Sequence, residues 1–121
     1  MFSLSSCDRY YLCTSGVDLR KGFNSLCGVV RSVMGHDPLS GDVYIFINST
    51  RTTIKLLHWE RGGLVIYHKR LEQGRFALPK FDDKTQSYTL AYHELVMMVE
   101  GISALQIKHK KRYDKATKKV G

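Results

Sequence analysis

A chain of 121 residues, 43% of them apolar and 25% charged, is long enough for one domain and too short for two independent cores. No run approaches the roughly 20 apolar residues needed to cross a bilayer, and no basic segment followed by an apolar one opens the chain, so neither a membrane partner nor a secretory signal is expected, and a cytoplasmic protein is. The formal net charge of +8 is uneven: residues 106–121 hold seven Lys or Arg against one Asp, which leaves only +2 for residues 1–105.

In chain order, Arg9 to Thr14 reads as a short strand at the edge of a sheet, ended by the turn Thr14-Ser15-Gly16. Asp18 is placed to cap a helix running to about Met34, in which Leu19, Phe23, Leu26, Cys27, Val30, Val33 and Met34 form one apolar stripe. Gly22 and Gly28 inside that helix each cost about 1 kcal/mol relative to alanine, either for a close approach or simply tolerated. Gly35 and Pro38 supply the stop.

Val43 to Pro79 is the nucleus of the fold. Three strands, Val43 to Asn48, Thr52 to Trp59 and Leu64 to Lys69, are rich in branched and aromatic residues and separated by turn signals at 48–51 and 60–63. With Gly62-Gly63 at the centre of the second turn, Trp59 faces Ile66, Leu57 faces His68 and Lys55 faces Arg70. A four-residue loop shifts the partners by one pair of positions and keeps the parity. Lys55, Leu57 and Trp59 then share a face with Leu64, Ile66, His68 and Arg70, and Ile54, Leu56 and His58 share the other with Val65, Tyr67 and Lys69. Like charges across a strand pair are unfavourable alone, so Lys55 and Arg70, beside Lys69 and Arg75, point to a nearby anion; neutralisation by Glu60 or Glu72 is the equal alternative.

After the hairpin, residues 70–79 form a loop with Leu71, Phe76 and Leu78 as apolar anchors and Arg70 and Arg75 facing water or a ligand. Residues 81–87 read as a polar connector and Gln86 to Leu90 as one more strand. A second helix over about Ala91 to Glu100 buries Leu95, Met98, Val99 and Ile102. The expected fold is α+β: a small antiparallel sheet of three to five strands, one long amphipathic helix packed on it and a short C-terminal helix. It occupies residues 1–105, with 106–121 as a basic tail.

The chemistry points to binding. Cys7, Cys13 and Cys27 are an odd number without CxxC spacing, so buried thiols are expected and neither disulfides nor zinc. His58 and His68 fall on opposite faces of the hairpin, against a shared metal. There is no HExxH, nucleophile elbow or Walker motif, so neither an enzyme nor a cofactor is expected.

Three segments carry a resemblance: Val17-Asp18-Leu19-Arg20-Lys21-Gly22-Phe23, Ile54-Lys55-Leu56-Leu57-His58-Trp59, and Tyr67-His68-Lys69-Arg70-Leu71-Glu72-Gln73-Gly74-Arg75-Phe76 with Pro79. Together, in that order, they resemble the accessory protein encoded by the second reading frame of the insertion-sequence-66 family, over about residues 17–102. Asn24, Leu78 and Ala91 depart from the pattern, the last where a capping Ser or Thr is common. The resemblance implies a small protein of a bacterial mobile element that acts beside a separate transposase. Two roles follow. In one, Arg20, Lys21, Lys55, Lys69, Arg70 and Arg75, with Lys108, Lys110, Lys111 and Arg112 of the tail, contact the phosphates of DNA at the element ends. In the other, the loop is a surface for the transposase, with Trp59, Glu72 and Phe76 among its contacts.

Overall fold

The computed structural model describes residues 4–20, 22–80 and 87–100. The expected connector and basic tail, Lys21, and the Gly101 and Ile102 end of the second helix lie outside them, or nearly so for the connector.

The fold begins with a strand, a helix and a second strand. β1 (Tyr10–Cys13) leads to α1 (Phe23–Val29), and β2 (Val43–Ile47) returns parallel to β1 in the register Tyr10 to Val43. A crossover long enough to hold a helix permits parallel pairing, which a tight turn cannot. β3 (Thr53–Glu60), β4 (Gly63–Arg70) and β5 (Ser87–Leu90) complete a five-stranded sheet of order β4-β3-β2-β1-β5, antiparallel except for the β1/β2 pair. β1 is therefore an interior strand, not the expected edge, because β5 pairs along its other side.

The α+β class holds, but the single long helix does not. Asp18 accepts a hydrogen bond from the Arg20 N–H at 3.0 Å, closing a local turn, so it does not cap the helix. Gly22 is the N-cap, without a side-chain hydrogen bond, and α1 starts five residues later than expected. After Val29 it widens into a π-helical segment (Val30–Met34), closed by Gly35 at φ +73, where a glycine backbone is least strained. A Cβ on Gly28 would meet nothing within 4 Å, so that glycine serves no close approach.

The sheet is covered on both faces, which is why all five residues of β2 are buried. On one face, Leu26, Cys27, Val30 and Met34 cluster with Cys13, Tyr44, Phe46 and Leu57. On the other, Leu95 and Met98 of α2 (Tyr92–Val99) join Tyr10, Leu12, Ile45, Ile54 and Leu56. Phe76 is part of the same cluster, and Leu71 and Leu78 pack against it, so all three expected anchors of the loop after β4 are used. Two backbone bonds fix that loop: Leu71 N–H donates to Thr52 O at 2.8 Å and Phe76 N–H to Arg51 O at 2.7 Å. Cys13 and Cys27 are buried free thiols, while Cys7 is exposed. Burial pushes the Cys13 thiol up. Among the described residues no helix is long and apolar enough to cross a membrane.

The hairpin turn uses Arg61 and Gly62, both at positive φ, as a type I′ turn requires. Glu60 pairs with Gly63, Trp59 with Leu64, Leu57 with Ile66, Lys55 with His68 and Thr53 with Arg70. The Gly62-Gly63 register is thus displaced by one pair of positions, and the facial parity is unchanged.

Two stability predictions arise here. α2 starts at Ala91, which offers no side-chain cap, although the Glu94 carboxylate accepts the Ala91 N–H at 3.0 Å. Ala91→Ser supplies the missing acceptor and is expected to add about 1 kcal/mol, read as a higher denaturant midpoint. The second concerns alkaline pH. Burial pushes Tyr10 from its ordinary value of 10.0 up to about 12, and also raises Tyr44. A phenol with a raised folded pKa contributes stability that is complete below its unfolded pKa and is lost as pH rises through the folded one. The denaturant midpoint should therefore fall between about pH 10 and about pH 12; a midpoint constant across that window contradicts the assignment.

Candidate functional site

The strand directions bring five strand ends together: the C-terminal ends of β1, β2 and β4 and the starts of β3 and β5 lie at one end of the sheet. The segments leaving them, 14–20, 48–52 and 71–79, surround that end. Asn48 builds its turn by accepting the Thr52 and Thr53 N–H groups on Oδ1 at 2.9 and 3.0 Å. This holds Thr53 at the rim, opposite Arg70.

On the α1 side of this end lies an open depression of about 590 Å3, lined by Asp18, Arg20, Asn48, Lys55, His68 and Arg70 among others. Parity explains three of these: Lys55 faces His68 across the ladder, and Arg70 is two residues further along the same face. Arg20 arrives from the turn that Asp18 closes, its Nε and Nη2 donating to the Asp18 carboxylate at 3.1 and 3.0 Å. That pairing pushes the Arg20 guanidinium further toward its charged form. Arg70 lies 3.6 Å from Glu72, both well exposed. Such pairs are weak in water and exchange readily for another anion. Lys55 differs in being only 9% exposed, and burial of an ammonium favours a setting rich in acceptors.

Arg20, Lys55, Arg70 and His68 thus line one concave surface with the carboxylate of Asp18. This arrangement can hold a phosphate or carboxylate; its strongest donors are guanidinium groups suited to paired oxygens. Among the described residues no cluster of three or more His, Cys, Asp or Glu could hold a metal.

Other expected contacts are placed elsewhere. Lys69 is on the opposite face, and its Nζ donates to Val99 O at 2.7 Å at the C-terminal end of α2, where the helix dipole favours a cation. Phe76 is 1% exposed and belongs to the core, so it is no recognition anchor. Trp59 is half-buried next to the hairpin turn, six residues along β3 from Thr53 and at the far end of the strand. Arg75 and Glu72 are exposed in the loop after β4. Lys21, Lys108, Lys110, Lys111 and Arg112 are outside the described residues. Sequence reasoning read Asn48 as turn chemistry only, and it placed His68 on the face of Lys55 and Arg70 without giving it a binding role. The signal for His68 was its parity with Lys55.

A family model described as IS66 Orf2 like protein matches residues 8–109. The chain is 28% identical over 102 residues to the uncharacterized protein y4jC of Sinorhizobium fredii (strain NBRC 101917 / NGR234), covering 84% of this chain and 86% of that one. It is 32% identical over 71 residues to y4hO of the same strain, covering 59% of this chain and 62% of the relative. No solved structure matches significantly. With the match spanning the sheet, both helices and every residue of the basic depression, the chain belongs to the IS66 Orf2-like family and is a transposition-related accessory protein.

Proposed function

We propose that the protein is a non-enzymatic, nucleic-acid-binding accessory factor in transposition of a bacterial insertion sequence. It holds phosphates of DNA at the element ends in the depression where Arg20, Lys55 and Arg70 converge, with the tail residues Lys108, Lys110, Lys111 and Arg112 as additional contacts. The observation that carries this reading is that convergence: three basic residues from the 14–20 segment, β3 and β4 line one concave surface, where a phosphate can exchange with exposed carboxylate partners such as Glu72. Such contacts fix a protein on a duplex without reading its sequence.

The alternative, an assembly factor that contacts the transposase without touching DNA, loses its apolar anchor with the burial of Phe76. It would rest on Glu72 and Arg75 at the exposed rim of the loop and on half-buried Trp59.

Fluorescence anisotropy with labelled element-end duplex tests the choice. Saturable binding at low salt that weakens steeply as salt rises is expected. No binding at low salt, together with a transposase complex that survives nuclease treatment, would overturn the proposal in favour of the alternative.

A further inference from the structure

The basic depression does not end at Asn48. A second hollow of about 370 Å3 shares Asp18, Leu19 and Asn48 with it. A third, of about 360 Å3, shares Gly16, Asn48 and Ser49 with the second and reaches Cys13, Arg51 and Leu78. Asn48 borders all three, so they adjoin as one groove that passes round the end of the sheet, from Lys55 and His68 on the α1 face to Leu12, Ile47 and Leu78 toward the α2 face.

Arg51, in the turn between β2 and β3, lines the third hollow. Its φ of +58 is a conformation that glycine or asparagine adopts at lower cost. The turn holds it there: Arg51 N–H donates to Asn48 O at 3.0 Å, and Arg51 O accepts from Phe76 N–H. Its side chain is exposed, and among the described residues its guanidinium makes no hydrogen bond or ion pair. The hollow beside it is lined by the small residues Ser15, Gly16 and Ser49, which let a backbone come close, together with apolar Leu12, Ile47 and Leu78. No aromatic ring lines the groove except the imidazole of His68, so it lacks a platform for stacked bases.

We infer that a phosphodiester chain seated at Arg20, Lys55 and Arg70 continues along this groove and is held at a second seat by Arg51. The inference rests on the function proposed above and adds to it a contact and a path. The guanidinium would pair with one phosphate oxygen set while the chain's bases face away from the protein.

The test is Arg51→Asn, with Arg51→Gly as a second variant, since both residues accept the left-handed backbone and keep the turn intact. Thermal melting confirms that each variant is folded. Binding is titrated with a labelled element-end oligonucleotide, once as a single strand and once as duplex, beside Arg70→Gln. Both Arg51 variants are expected to bind about fivefold more weakly on the form that uses the groove. The salt slope should shrink by about 0.7 for a single strand or about 0.9 for duplex. A loss on either form supports the second seat and identifies the form. Unchanged affinity and slope on both forms, while Arg70→Gln weakens binding, would overturn the second seat alone. Absence of binding by the unaltered protein would overturn the proposed function itself, and this inference with it.

Discussion

Phe76→Ala is expected to destabilise the protein by about 3–5 kcal/mol, whereas Arg75→Ala beside it should change stability by less than about 0.5 kcal/mol. Phe76 is 1% exposed within the cluster of Ile54, Leu56, Leu95 and Met98. Its removal leaves a cavity under the loop that follows β4, a segment otherwise held by the packing of Leu71 and Leu78 and by the backbone bonds to Thr52 and Arg51. Against a typical domain stability of about 5–15 kcal/mol, a loss of this size takes a large fraction of the whole. Denaturant unfolding of the two variants checks the contrast; equal midpoints would place Phe76 on the surface. One consequence is practical. A transposase complex lost on Phe76→Ala reports unfolding, so the partner surface has to be probed through Arg75 and Glu72.

The second large effect is on binding. Replacing Arg20, Lys55 and Arg70 together by glutamine removes three cations from one depression and keeps polar side chains there. Each partly solvated contact contributes about 0.5–1 kcal/mol, so affinity for element-end duplex should fall on the order of 10–100-fold at low salt. Lys69→Gln is the control. Lys69 sits on the opposite face and is bonded to Val99 O, so its loss should weaken the end of α2 and leave DNA affinity unchanged. Weakening by Lys69→Gln as large as by the triple replacement would place the binding surface on the wrong face.

Much of the frame was legible because its signals are local and periodic. The period-two alternation of Thr53–Glu60 and Gly63–Arg70 assigns every side chain of the hairpin to a face, and an error of one pair in the turn leaves that assignment intact. The turn centre was misplaced because Gly62-Gly63 satisfies the turn's demands on paper, while Arg61 accepts positive φ and Gly63 pairs with Glu60. The start of α1 was hidden for a similar reason: an aspartate caps a helix or closes a turn with the same hydrogen bond, and only the fold decides which. The parallel placement of β1 was available from the strand, helix, strand order but not from composition.

The site was legible in its residue types and less so in its location. Parity alone separates Lys69 from Lys55 and Arg70, and that separation outweighs their closeness in sequence. The placement of Asn48 and Arg51 was beyond the sequence, because it depends on the ends of β1 and β2 meeting the 14–20 segment in space. Phe76, expected as an anchor of the loop and, in the alternative role, as a partner contact, is a core anchor.

The most direct test is the dependence of DNA affinity on salt. If body and tail together neutralise about five phosphates, a plot of log K against log salt for duplex has a slope near −4.5, and removing the three cations of the depression brings it to about −1.8. A slope that stays near the unaltered value in the triple variant would show that Arg20, Lys55 and Arg70 displace no counterions from DNA, and the basic depression would not be the binding site.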